Sequence, residues 1–221
     1  MTDPMILKFN SLLTEAEREL LDGLDSPVKI QDFLDQTEYS ADSFNRSALR
    51  VLRDRVAHCL DGALFAAAIL RRNGYPAMIL DMLPEPGLDD DHVLTIYRQG
   101  AGYGAIAKSN FVGLRFREAV YRTPRELVMS YFESFFNVDG RKTLRAFTRI
   151  INLKAYDRSE WIWSDQGVDR IEKRLYGLKR IPLFEDKIAA SLAPVDALTY
   201  QAGMLVVNYA GLYQPKREQN K

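Results

Sequence analysis

The chain reads as an α+β protein in which a central buried helix packs on an antiparallel sheet, with further helices at both ends. Three observations predict this. First, from Cys59 to Leu70 there is no polar face over two turns, and a helix that is apolar all round is a buried one. Second, this run is followed by three strand-like segments separated by turn-forming residues. Third, helical patterns with start signals flank the whole block on either side.

Residues 14–35 read as helical. Thr14 and Glu17 have the spacing of a capping box, with Leu20, Leu21 and Leu24 behind them. Gly23 weakens the pattern, and Ser26-Pro27 restarts it through Ile30, Phe33 and Leu34, because proline suits a first helical position. Gln36 to Asn45 is polar and reads as loop, and a short helix is expected over Ser47 to Val56. The Cys59–Arg72 helix closes on Asn73-Gly74, a C-terminal stop. Strands are expected at Pro76 to Leu83, His92 to Arg98 and Tyr103 to Phe111, the last two joined by a turn at Gly100 to Gly102. Thr123-Pro124-Arg125-Glu126 starts a helix with an apolar stripe running to Phe136. Thr143 to Leu153 reads as another strand, helices are expected near 165–178 and 194–210, and a charged tail begins at Pro215. The 221 residues suit one domain, with a helical N-terminal segment over residues 1–44, a core over 45–118 and a mainly helical extension over 154–221.

Thirty basic and thirty acidic side chains cancel, which removes the global positive field expected of a nucleic-acid binder. No apolar run approaches the roughly 20 residues that span a bilayer, so no membrane role is expected. The N-terminus lacks the pattern of a secretory signal, and the single cysteine offers neither a disulfide nor a zinc cluster. A cytoplasmic setting with no metal or cofactor is therefore expected. Charge is uneven along the chain. Residues 141–180 hold eleven bases against five acids, a candidate docking surface for an acidic partner. Asp89-Asp90-Asp91 lack the alternating spacing of a calcium loop and read as a solvated loop.

The chemistry-bearing residues are Cys59, His92 and the polar end of the following strand. A cysteine at a helix N-terminus is expected to be acidified by the peptide dipoles. His92 opens a strand that a fold can bring opposite the helix start, and a third group must hold its other ring nitrogen. Ser109 and Asn110 are the candidates: counting in twos from Tyr103 selects Ser109, while amide chemistry prefers Asn110. Asp61 complements the helix dipole but disfavours a thiolate. Gly62 suits either an oxyanion site formed with the Cys59 N–H or close helix–sheet packing.

The run Cys59-Leu60-Asp61-Gly62 through the aliphatic helix to Gly74-Tyr75-Pro76-Ala77 resembles the cysteine-helix motif of the transglutaminase-like superfamily. Asp91-His92-Val93-Leu94-Thr95-Ile96-Tyr97 resembles its histidine strand, and Gly102 to Ser109 the strand that ends in its third catalytic residue. The resemblance covers residues 45–118 and implies a papain-like fold. It also implies Cys59 as nucleophile, His92 as base and a thioester intermediate formed on an amide of a protein or peptide substrate. No aspartate stands at the family's third position, and Met78 replaces the arginine usual after Pro-Ala. Two functions follow as expectations: a cysteine hydrolase or acyltransferase, or a catalytically inactive relative that serves as a binding module.

Overall fold

The helix expected at Cys59–Arg72 forms over those residues and is the element about which the rest packs, in a computed structural model that describes residues 3–215. Every residue from Cys59 to Arg71 is buried, and Gly74 supplies the left-handed backbone (φ 87°) just beyond the end. Ahead of it come α1 (Pro4–Leu12), α2 (Glu15–Asp22), α3 (Pro27–Asp35), β1 (Glu38–Tyr39), α4 (Ala48–Asp54) and β2 (Val56–Ala57); the central helix is α5. The Thr14 hydroxyl accepts the Glu17 N–H at 3.2 Å and the Glu17 carboxylate accepts the Thr14 N–H at 2.7 Å, so the expected capping box starts α2. α1 falls within the expected helical N-terminal segment, and Asp3-Pro4 starts it as a cap followed by an N-terminal proline. Arg71 near the end of α5 reaches both Asp3 at 2.7 Å and Asp157 at 2.6 Å, tying α1 to the body.

After α5 the chain forms β3 (Met78–Pro84), β4 (His92–Gln99), β5 (Gly102–Ile106), β6 (Arg117–Tyr121), α6 (Pro124–Met129), β7 (Leu144–Phe147), β8 (Ile151–Asn152), α7 (Asp165–Tyr176), β9 (Ile181–Pro182), α8 (Asp186–Ala189) and α9 (Ala197–Gly203). Strands β3 to β9 make one antiparallel sheet in the order β6-β5-β4-β3-β7-β9, with β8 also on β3. The architecture is α+β, as expected. The third strand is shorter than expected, stopping at Ile106, and the expected strand 143–153 is two strands interrupted at Thr148. There Thr148 donates its N–H to the Asp81 carbonyl at 2.9 Å and accepts the Asp81 N–H on its hydroxyl at 3.1 Å. The expected helix 194–210 is only α9 followed by a single-turn helix at Tyr209–Gly211. Of the expected charged tail, residues 216–221 lie outside the described residues. Among the described residues no helix is long and apolar enough to cross a membrane.

Both faces of the sheet are covered, and its strands alternate accordingly. Ile79, Val93, Tyr97 and Ile106 face α5, while Leu80, Met82, Leu94 and Ile96 join Leu127, Val128 and Tyr131 on the opposite side. The Thr95 hydroxyl fixes this register by donating to the Ala63 carbonyl of α5. The strand that carries His92 is thus buried on both sides, which decides where the imidazole goes.

Candidate functional site

His58 caps α5 and Cys59 is its first residue. Asp61, fully buried in the first turn, accepts the Arg46 N–H at 2.7 Å and the His58 N–H at 3.3 Å. It is a structural clamp between the preceding loop and the helix head, and burial raises its carboxyl to about 7. Gly62 uses its own N–H to bond the His58 carbonyl at 3.0 Å. A β-carbon added there would stand 2.3 Å from the Lys108 β-carbon, so the close approach serves packing of α5 against the segment that follows β5. Gly62→Ala is expected to cost about 1–3 kcal/mol of stability by overpacking, read from the urea midpoint; an unchanged midpoint would remove this role.

Cys59 lines a cleft of about 320 Å³ bounded by the loop after Tyr39, the head of α5, the start of β4, the end of α7 and residues 210–213. Its Sγ lies 3.8 Å from the Asp91 carbonyl oxygen. Burial, and then the negative charges of Asp91 and Asp90, push the thiol well above its ordinary value, against a smaller opposing bond from the Val93 N–H. This corrects the expected acidification: at this helix head, desolvation and neighbouring carboxylates outweigh the dipole.

His92 is brought to the same strand end but not to the thiol. Asp91 and Val93 flank Cys59 on the α5 face, so His92, one residue out of phase, projects to the other face. Its Nε2 lies 2.8 Å from the Leu114 carbonyl, which can only accept; Nε2 therefore carries the proton and Nδ1 is the bare nitrogen. Burial lowers the imidazole to about 4 and keeps it neutral. The ring lines a second, smaller cavity with Ser109, Asn110 and Phe135, one that Cys59 does not reach. Tyr39, Asp90, Asp91 and residues 211–213 line both cavities and form the wall between them.

Neither candidate third residue holds His92. The Asn110 amide donates to the Asn208 carbonyl at 2.9 Å and its oxygen accepts the Asn208 N–H at 2.8 Å, fastening the C-terminal segment to the body. The Ser109 hydroxyl accepts the Phe111 N–H at 3.0 Å in a local turn. The group that orients the imidazole is the Leu114 carbonyl, a backbone atom that side-chain motifs do not reveal.

The three consecutive aspartates form a loop as expected, with Asp90 exposed, but Asp89 and Asp91 are half-buried rather than fully solvated. The Asp89 carboxylate accepts the Thr143 hydroxyl at 2.6 Å, and burial raises it to about 6. Asp91 is raised to about 7 by burial and then by Asp90 and Glu172; Asp90, at the mouth of the cleft, is pushed up by desolvation and by Glu172. Beneath them lies Asp81 of β3, fully buried, with neither carboxylate oxygen hydrogen-bonded. Burial pushes it well above the usual carboxylate range, and Asp91 and Asp90 add to the effect. It faces α5 directly across from Val93, a position that the burial of β3 on both sides hides from sequence patterning. Among the described residues, no group of three or more His, Cys, Asp or Glu side chains is arranged to hold a metal ion.

No family model matches this chain, and no curated protein does either.

Proposed function

We propose that this protein acts by binding, as a catalytically inactive body of transglutaminase-like pattern whose cleft at the head of α5 receives a protein or peptide partner. The observation that carries this reading is the placement of the thiol and the imidazole on opposite faces of β4, with the thiol held protonated among carboxylates. The order of cysteine helix, then antiparallel β3, β4 and β5 packed beneath it, supports assigning residues 45–118 to a papain-like core. The basic stretch 141–180 supports a second contact, with an acidic partner. Lys142 and Arg145 pair internally with Glu133 and Glu85, whereas Arg170, Lys173, Arg174 and Lys179 are exposed. A cytoplasmic setting, in which a lone thiol stays reduced, goes with this reading.

One observation favours the catalytic alternative, a hydrolase or acyltransferase acting on amides. Cys59 opens onto the cleft and His58 lines the same space. That imidazole, however, is lowered to about 4 by burial and by Arg46, far from the range of an efficient base at neutral pH.

Alkylation by iodoacetamide separates the two. In the native protein Cys59 is expected to react at least about tenfold more slowly than a free thiol near neutral pH, and at the ordinary rate once unfolded in urea. Exchange of His92 for alanine is expected to leave both rates unchanged. A native rate above that of a free thiol, whether lost in His92→Ala or in His58→Ala, overturns the binding reading.

A further inference from the structure

The segment after α9 runs along three adjoining spaces. Ala210, Gly211, Leu212 and Tyr213 wall the cleft at Cys59, and the last three of these also wall the smaller cavity at His92. Val206, Val207 and Asn208 wall a third space of about 400 Å³ beside Lys108. Tyr39 lines all three, and Asn110 lines the second and third. The segment is held lightly. No residue from Met204 to Pro215 is buried, and Leu205 and Tyr209 are 78% and 72% exposed. Among the described residues, three hydrogen bonds join 205–213 to the body ahead of α9, and all three use Asn208. A segment that removes so little apolar surface from water opens locally at low cost.

The contact that does hold it suits any peptide. The Asn110 side chain, 5% exposed, donates to the Asn208 carbonyl at 2.9 Å and accepts the Asn208 N–H at 2.8 Å. Both bonds go to main-chain atoms, which every residue except proline presents. The Asn208 side chain adds a bond to the Tyr39 carbonyl at 2.9 Å. Asn208 (φ −78°, ψ 105°) and Leu212 (φ −84°, ψ 130°) are extended, on either side of a single turn. In that turn the segment presses on the body: a β-carbon on Gly211 would stand 2.9 Å from both the Ser40 carbonyl oxygen and the Tyr39 ring. Glycine passes there without displacement, and a larger residue does not.

We infer that residues 205–213 are an autoinhibitory strap lying in a peptide-binding groove, and that a largely extended segment of a partner protein displaces them. Asn110 takes the main chain of that segment, and a glycine three residues further on passes Tyr39-Ser40. The inference rests on the binding reading above and names the partner chemistry and the regulation of that same site. A tethered segment competes at an effective concentration of about millimolar. A lightly held strap therefore excludes weak peptides and yields to a partner that buries more surface.

Fluorescence anisotropy of a labelled peptide of residues 204–214 tests this on two full-length proteins, the native chain and the double variant Asn208→Pro, Gly211→Val. Proline suits the φ of residue 208 but lacks the clamped N–H, and valine meets Ser40. Neither position is buried, so an unchanged circular dichroism spectrum is expected. The peptide is expected to bind the variant at least about tenfold more tightly than the native chain, whose own strap competes. Peptides carrying Asn208→Pro or Gly211→Val are expected to bind the variant at least about tenfold more weakly than the unaltered peptide. Equal binding by native and variant protein, no binding by either, or indifference to both peptide changes overturns the inference. A native dimer that the variant does not form makes a second copy the occupant and overturns the partner. Slow thiol alkylation in the native chain with no peptide binding removes the strap alone; rapid alkylation that depends on His92 or His58 removes the binding reading and the premise of this inference together.

Discussion

Phe65→Ala is expected to cost about 3–5 kcal/mol, a large share of the roughly 5–15 kcal/mol by which domains of this size are stable. Phe65 is fully buried at the middle of α5 and stacks on Phe33 of α3, with ring centroids 4.5 Å apart and planes 14° apart. The other face of Phe33 carries the Arg55 guanidinium at 3.8 Å, so the three groups form one stack that joins α3, α4 and α5. The neighbours of Phe65 along the helix, Ala63, Ala66, Ala67 and Ala68, are small because the surrounding elements approach closely there. The sizeable side chains beside it on α5, Leu64 and Ile69, are themselves fully buried, so the void is filled only in part and most of its cost is felt. The urea midpoint, followed by far-UV circular dichroism, is expected to fall with an unchanged slope, and the thermal midpoint to drop by about 6–20 °C. Phe65→Leu, which keeps most of the volume, is expected to cost about 1 kcal/mol. A loss below about 1 kcal/mol for the alanine variant would mean that α5 is not the element that organises the core.

The sequence made α5 legible because nothing else explains an apolar run with no polar face that ends on Asn-Gly, and the capping box at Thr14 was legible because two side chains and their spacing suffice to form it. β6 was not legible. It lies at the sheet edge with every other residue half-buried, and Arg117, Glu118 and Tyr121 carry no strand pattern of their own. The candidate site failed at one point with a definite cause. Counting in twos from His92 gives Leu94 and Ile96, and counting from Asp91 gives Val93, Thr95 and Tyr97. Both sets are buried, so hydrophobicity cannot say which face looks at α5. A shift of one residue moves a side chain through the sheet, and it moved the imidazole away from the thiol. The acidic character of the cleft was hidden for another reason. Asp42, Asp91 and Glu172 belong to the loop after β1, the loop before β4 and a distant helix, and only the fold gathers them around it.

Asp81→Asn is expected to stabilise the protein, by a margin that widens as pH rises. A buried carboxyl whose folded value is raised holds its proton in the fold while the unfolded chain has lost it. Its contribution is therefore fully present below the unfolded value near 3.8 and is lost as pH climbs through the folded value. Over the interval in which Asp81 is protonated in the fold and ionised in the unfolded chain, the variant gains about 1.4 kcal/mol on the native protein per pH unit. Asp61 and Asp91, raised to about 7, act in the same direction. His58 and His92, lowered to about 4, oppose them, but only between there and their unfolded value of 6.5. Above that the histidines are neutral in both states and the carboxyls act unopposed, so native stability is expected to decline from pH 6.5 upward. Urea midpoints of native and Asp81→Asn protein across about pH 4 to 8 check this, and parallel curves would show that Asp81 is solvated or paired in solution. A partnerless carboxyl that costs the fold stability persists in natural proteins where it serves a site.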